Sequence, residues 1–314
     1  MSDPVPDMIL AQDVSKHFAA LTAIEHLSFA CTRGEIFGFV GPDGAGKTTV
    51  MRLLAGIMPP DAGSIVIDGV DVVADPEAAK MHLSYMPQRF GLYEDLTVDE
   101  NIAFFADLFE IDRKTRDERA LRLLSASGML PFRKRRAGQL SGGMKQKLGL
   151  TCSLVHTPKI LLLDEPTAGV DPVSRRDFWR ILYGLRGEGV TIVIATSYLD
   201  EAERCTRLGL LYGGRMLHCG TPNELKMLMP GELLAVTSPQ ARRARDLVRT
   251  LRGVSKALLV GDGIHIVVDD AGRRKPEIAD ALRQAGLGFD QIEQLRPSIE
   301  DLFVSLLDQP GDGA

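Results

Sequence analysis

Gly41-Pro-Asp-Gly-Ala-Gly46-Lys47-Thr48 is the stretch on which the reading of this chain turns. Its spacing, G-x-x-x-x-G-K-[ST], suits a loop that wraps a phosphate. Glycines let the backbone approach closely, and successive N–H groups with the N-terminus of a following helix form a cradle for an anion. Gly41, Asp43, Gly44, Ala45 and Gly46 then supply the wall of the cradle, and Thr48 and Thr49 open the helix. Lys47 reaches the outer phosphates, and the Thr48 hydroxyl is a ligand for Mg²⁺. The flanks agree. Glu35-Ile-Phe-Gly-Phe-Val40 reads as a short apolar strand, and Thr48-Thr-Val-Met-Arg-Leu-Leu-Ala55 has helical spacing that stops at Gly56, Pro59 and Pro60. A ligand-free glycine turn is the bland alternative, and it leaves the order strand, loop, helix unexplained.

A phosphate loop of this kind needs a carboxylate from another strand. Ile160-Leu-Leu-Leu163 followed by Asp164-Glu165 offers one. Asp164 at the strand end is placed to hold the hydration shell of Mg²⁺, and Glu165, one residue on, to polarise an attacking water. Alone, four aliphatics and two acids describe any solvated strand end. Beside the glycine loop they read as a site.

Composition bounds the alternatives. The chain has 314 residues, 45% hydrophobic and 25% charged, with a net charge of −5. That is a globular composition, which excludes disordered and collagen-like classes. Mild acidity gives no global attraction for nucleic acid or anionic lipid. No apolar run approaches the ~20 residues needed to span a bilayer. The first seven residues are acidic and proline-broken, unlike a secretory leader. Cys31, Cys152, Cys205 and Cys219 lack metal-ligand spacing, and each reads as a small buried hydrophobe. The basic runs Arg133-Lys-Arg-Arg136 and Arg242, Arg243, Arg245 read as solvated faces.

Along the chain, 8–34 reads as strands and turns, 63–73 as a hairpin about Asp68-Gly69, and 97–155 as helical. Strands return at 159–164 and 190–195 around a helix at 172–187. Interleaved strands and helices predict an α/β fold with a parallel core sheet. Composition shifts near 221–230, and 231–308 then reads βαββαβ plus a helix, the order of the ferredoxin-like split βαβ motif. Two domains are expected, 8–222 and 231–308.

Between the glycine loop and Asp164 lies Leu140-Ser-Gly-Gly-Met-Lys-Gln-Lys147. It resembles the signature motif of ABC-type ATPases, and residues 8–220 as a whole look like an ABC nucleotide-binding domain. The resemblance implies a P-loop NTPase core with a β-rich N-terminal subdomain and a helical signature subdomain, using ATP and Mg²⁺. It implies that Phe18 stacks on adenine, that Gln88 in Met86-Pro-Gln-Arg senses Mg²⁺ and faces a transmembrane partner, and that Asp171 links the two sites of a dimer. It further implies that Ser141, Gly142 and Gly143 grip the nucleotide of an opposite protomer, so that ATP joins two copies head to tail. Physically, a serine and two glycines opening a helix leave a hydroxyl and unpaired N–H groups for a phosphate.

Three stretches look like those of ABC-2 type exporters, a group that includes drug-resistance ATPases with a small C-terminal domain: 89–100, 140–150 and 298–303. Phe90, Leu92, Tyr93 and Leu96 are then expected to line a groove for a coupling helix of a membrane subunit, with ordinary loop packing as the alternative. Three residues depart from the family pattern. Asp43 replaces an asparagine, Met144 a glutamine, and Ser197 the switch histidine. Serine offers a phosphate one neutral donor where imidazolium offers charge. The expectation is an ATP-hydrolysing subunit of a membrane exporter. Glu165, Lys47, Gln88 and Ser197 are assigned to catalysis, and Thr48, Gln88 and Asp164 to the metal. Its partners are membrane permease subunits, met through the loop 88–96, and a second ATPase protomer. Its place is cytoplasmic, on the inner face of the membrane, and no nucleic acid is involved. A soluble ABC ATPase or a weakly hydrolysing regulatory module remain the alternatives.

Overall fold

The computed structural model describes residues 7–307. The outer bound expected at 308 and the first six residues of the acidic start lie outside them. The chain divides after Thr221 into two units.

In the first unit β1 (Asp7–Phe18) and β2 (Leu21–Thr32) form a hairpin, followed by β3 (Ile36–Val40) and α1 (Lys47–Leu54). Next come β4 (Ala62–Ile67), β5 (Val70–Asp71), α2 (Pro76–Lys80) and β6 (Leu83–Met86). The helices α3 (Val98–Leu108), α4 (Arg113–Ala126) and α5 (Gly142–Leu154) are consecutive. The unit closes with β7 (Ile160–Asp164), α6 (Pro172–Gly187), β8 (Thr191–Thr196), α7 (Leu199–Ala202), β9 (Arg207–Tyr212) and β10 (Arg215–Gly220).

Two sheets result. The antiparallel order β2-β1-β4-β5 is the β-rich subdomain, turned at Asp68 and Gly69, both with positive φ as a tight hairpin requires. The order β10-β9-β3-β8-β7-β6 is the core sheet, parallel from β9 to β6. β3 and β7 are buried at every position, which is why both read as unbroken apolar runs rather than alternating ones. Phe29, Phe37 and Phe39 join the sheets with ring centroids 4.9–5.1 Å apart. A separate core of Val98, Ile102, Leu124, Leu148 and Cys152 holds the three helices together. Cys31, Cys152 and Cys205 are buried as expected, but Cys219 is exposed. It sits on β10, an edge strand whose alternate positions face out, so a small thiol there is not core.

The second unit begins with α8 (Pro222–Lys226). It continues as β11 (Glu232–Thr237), α9 (Ala241–Val248), β12 (Val254–Val260), β13 (Gly263–Val268), α10 (Ala271–Gln284), β14 (Ile292–Leu295) and α11 (Ile299–Leu307). Its antiparallel sheet has the order β12-β13-β11-β14, the arrangement of a split βαβ fold. Among the described residues, no helix is long and apolar enough to cross a membrane.

Candidate active site

A parallel sheet collects the loops that follow its strands along one edge, and ligands of open α/β sheets bind there. Here that edge receives the glycine loop after β3, Gln88 after β6, Glu165 after β7 and Ser197 after β8. Residues far apart in sequence meet because their strands are neighbours. Val40 pairs with Thr196, and Asp164 pairs with Ala195.

The glycine loop is shaped by close approach. A Cβ at Gly41 would lie 2.2 Å from the Leu211 carbonyl oxygen, so only glycine fits. Gly46 has φ 103° and caps α1 in a left-handed conformation, which a side chain would strain. The turn returns Lys47 into the loop. Its Nζ donates to the carbonyls of Gly41 and Pro42 and to Ser197 Oγ, each at 2.9 Å, and lies 3.2 Å from Glu165 Oε1. Both side chains are buried, with 6% and 10% of their surface exposed. A buried ammonium beside a buried carboxylate is tolerated because each neutralises the other.

Glu165 holds φ 48° at the end of β7, a strained setting for a side-chain-bearing residue and one found at functional positions. Its N–H donates to the Ala195 carbonyl at 2.8 Å, and its carboxylate accepts from Ser197 N at 3.1 Å and Ser197 Oγ at 2.7 Å. Ser197 Oγ is also 3.1 Å from Asp43 Oδ1. The two departures from the family pattern that matter most to charge are thus in contact.

Thr48 Oγ1 donates to Asp164 Oδ1 at 3.1 Å, and the Tyr85 hydroxyl donates to Asp164 Oδ2 at 3.2 Å. Burial pushes the Asp164 carboxyl up, partly offset by those two hydrogen bonds. Burial and the Asp164 charge push the Tyr85 phenol up to about 12, so it stays a donor. Oxygen donors of this kind suit Mg²⁺, which favours a hydroxyl, a carboxylate-held water shell and phosphate oxygens over an all-protein cage. The desolvated Asp164 is a carboxylate that a cation would stabilise, so these residues fit the ion.

Two supporting residues were not anticipated. Tyr85 carries no motif, and β6 at four residues is too short to show a pattern. Glu201 gave no signal, because α7 is four residues long and shows no periodicity. Yet Glu201 is fully buried, accepting from Thr167 Oγ1 at 2.6 Å, Trp179 Nε1 at 2.9 Å and Thr196 Oγ1 at 2.8 Å. Thr167 follows Glu165 and Thr196 precedes Ser197, so this carboxylate ties together the loops that carry them. Arg175 stacks on Tyr198 at 4.0 Å with its Nε 3.9 Å from Glu201 Oε1.

The remaining candidates stand apart. Phe18, at the β1–β2 hairpin, is 44% exposed with Lys16 above its ring. Gln88 is exposed beyond β6. Ser141 caps α5, accepting from Met144 N at 3.4 Å, and Gly142 has open space around it. Among the described residues, no hydrogen bond joins 141–143 to the glycine loop. Gly143 packs against Ser174, and Asp171 caps α6 by accepting from Val173 N and Ser174 N. The expected aromatic groove needs correction. Phe90 and Leu92 pack against the helical core, with Phe90 5.0 Å from Phe105, so of these only Tyr93 is well exposed, edge-on to Phe104 at 4.5 Å. The loop is fixed by buried Asn101, which accepts from Tyr93 N at 2.9 Å and donates to the Tyr93 carbonyl at 3.0 Å.

Residues 24–168 match the ABC transporter family profile. Over 316 aligned residues the chain is 42% identical to the probable multidrug ABC transporter ATP-binding protein YbhF of Escherichia coli K12, covering 99% of this chain and 53% of YbhF. The chain therefore spans about half the length of that relative. It is 31% identical to the doxorubicin resistance ATP-binding protein DrrA of Mycobacterium tuberculosis H37Rv, over 92% of this chain and 90% of DrrA. Among solved structures, the dimeric bacterial ABC transporter cassette MJ0796 superposes with a TM-score of 0.63 at 25% identity, covering 68% of this chain and 98% of that one.

Proposed function

The chain belongs to the ABC transporter ATP-binding proteins, and from that premise we propose that it binds and hydrolyses Mg-ATP to power export through separate membrane subunits. One observation carries the reading: the sheet edge gathers Lys47, Thr48, Asp164, Glu165 and Ser197 behind the glycine loop. The multidrug and doxorubicin-resistance relatives support export as the work done.

The geometry supports a charge exchange. Lys47 and Glu165 neutralise each other across 3.2 Å. A triphosphate in the cradle is a stronger partner for the ammonium, so Lys47 turns to it and Glu165 is left as an unpaired carboxylate. That carboxylate is then free to take a proton from water. Thr48 and Asp164 hold Mg²⁺, which neutralises phosphate charge when bound. Gln88, on the same edge, senses that ion. Ser197 supplies the γ-phosphate with a neutral donor only, which makes for slow basal turnover.

Ser141 and Gly142 are exposed and, among the described residues, make no hydrogen bond to the glycine loop of their own chain, which suits a role in completing the site of a second ATPase protomer. The dimeric cassette among the structural relatives supports such a pairing. Phe18 stacks on adenine and Asp171 links the sites. The loop 88–96, held by Asn101 and displaying Tyr93, is the contact for a permease subunit on the inner face of the membrane. The test is a pair of variants. K47A is expected to abolish tight Mg-ATP binding in an equilibrium titration, while E165Q keeps binding and traps a closed dimer without turnover. Unchanged affinity in K47A, or full turnover in E165Q, contradicts the assignment.

A further inference from the structure

We propose that Ser197 and Asp43 form a proton exit from Glu165 to solvent. The inference rests on Glu165 being the base. A base buried to this degree has a problem after it acts: the proton it has taken must leave before the next turnover. Lys47 cannot accept it, because an ammonium has donors only. Asp164, the other carboxylate nearby, is occupied by Thr48 and Tyr85. The one group bonded to Glu165 that both accepts and donates is the Ser197 hydroxyl, 2.7 Å from Glu165 Oε1. From it the next acceptor is Asp43 Oδ1, 3.1 Å away, on a residue that is exposed.

A hydroxyl has one proton and two acceptor positions. Once product phosphate has left and Lys47 again donates to it, Ser197 Oγ has one lone pair left to accept from protonated Glu165 while its own proton passes to Asp43. The transfer balances. The O–H bond on Glu165 breaks and one forms on Ser197, the original Ser197 O–H breaks and one forms on Asp43, and Asp43 releases the proton to water. The proton moves from a buried carboxyl to an exposed one, the negative charge returns to Glu165 beside Lys47, and no further reactant is needed. The two residues that depart from the family pattern act as one device, a hydroxyl and a carboxylate in series.

The discriminating variant is D43N, which keeps the shape and one hydrogen-bond acceptor but cannot take a proton. With full-length protein, steady-state Mg-ATP hydrolysis is measured beside the single-turnover rate and equilibrium ATP affinity. We expect the steady-state rate to fall about tenfold or more in D43N and D43A alike while the first turnover is unchanged, because only the reset of Glu165 is lost. Affinity should not fall, because both variants leave the backbone cradle and Lys47 in place and remove a negative charge near the phosphates. Added imidazole or formate should restore much of the D43N rate, and S197A/D43N should be no slower than S197A. A normal rate in D43N with a loss only in D43A would show that Asp43 merely orients Ser197, and overturns the relay. So does a D43N defect that small buffers fail to rescue, or one that persists undiminished on top of S197A. E165Q separates the two levels: turnover in E165Q removes the base itself, whereas a silent E165Q with an unaffected D43N removes only the exit.

Discussion

Glu201 permits a prediction whose size follows from its contacts. Its carboxylate is fully buried and accepts three side-chain hydrogen bonds, from Thr167, Trp179 and Thr196. Truncation in E201A leaves an indole N–H and two hydroxyls in a space that water does not reach. Each orphaned donor costs about 1–3 kcal/mol, which sums to a loss of at least ~3 kcal/mol. The Arg175 guanidinium loses one nearby carboxylate as well, but it is partly exposed and keeps Asp200 at 3.6 Å, so this adds little. E201Q differs. Its amide oxygen serves Trp179 and Thr167, and its NH₂ faces Thr196, whose hydroxyl rotates to accept. Only charge and part of one bond are lost, about 1 kcal/mol. The assay is built into the molecule, because Trp179 is the single tryptophan of the chain, buried, and bonded to Glu201 itself. Its emission during urea unfolding reports on the first unit and is silent on the second. With a urea dependence of about 2–3 kcal/mol/M, E201A should unfold at a urea concentration more than ~1 M below the parent, and E201Q within ~0.5 M of it. A midpoint for E201A within ~0.3 M of the parent would refute the reasoning, and so would E201Q and E201A falling together.

Other outcomes follow from the same geometry. A Cβ at Gly143 would lie 2.6 Å from the Ser174 Cβ, so G143A should lower thermal stability by about 1–3 kcal/mol and S174G should restore most of it. S197H should raise basal ATP hydrolysis several-fold, since an imidazole beside Asp43 and Glu165 can take up a proton and then present the missing charge; no gain alongside brisk turnover of the unmodified protein would show the serine is not limiting. In the second unit, burial pushes the Asp301 carboxyl up, but hydrogen bonds from Ser298 and His265 outweigh it and hold the group below the ordinary aspartate range. A depressed carboxyl stabilises the folded state above its unfolded value of about 4, and that contribution is lost as pH falls through the lower folded value. Protection of the Gly263–Val268 amides, taken relative to their intrinsic exchange rates, should therefore fall on acidification below about pH 4 in the parent, and depend less on pH in D301N.

Elements and motifs were legible to different depths, and the physical reason is reach along the chain. β3 and β7 declared themselves because a strand buried on both faces must be apolar at every position. The split βαβ order of the second unit was legible because turns such as Gly261-Asp-Gly263 punctuate it locally. Helix ends were less so. α10 begins at Ala271, capped by Asp270, five residues before Pro276, a proline that by itself argues against a helix running through it because it removes an intrahelical hydrogen bond. The sheet-edge site was half legible. Lys47 and Asp164 carry motifs, but the contact between Asp43 and Ser197 spans 154 positions, and no local spacing encodes it.

That contact changes how the departures are weighed. Taken one at a time, Asp43 adds an unwanted negative charge near phosphate and Ser197 removes a useful positive one, so both look like losses. Side by side they are complementary. Asparagine at 43 could accept from Ser197 but not carry a proton away, and histidine at 197 could take a proton from Glu165 without help. Serine cannot hold a second proton, so it works in this position only if a group beyond it can. The aspartate is that group, exposed where the carboxylate it relieves is buried. Restoring one residue alone should therefore not restore the other's role. D43N with Ser197 in place is the costly combination, and D43N paired with S197H should tolerate the loss of the carboxylate. Turnover of S197H/D43N that falls as far below S197H as D43N falls below the parent would show that the two positions act independently, and the pairing argument would fail.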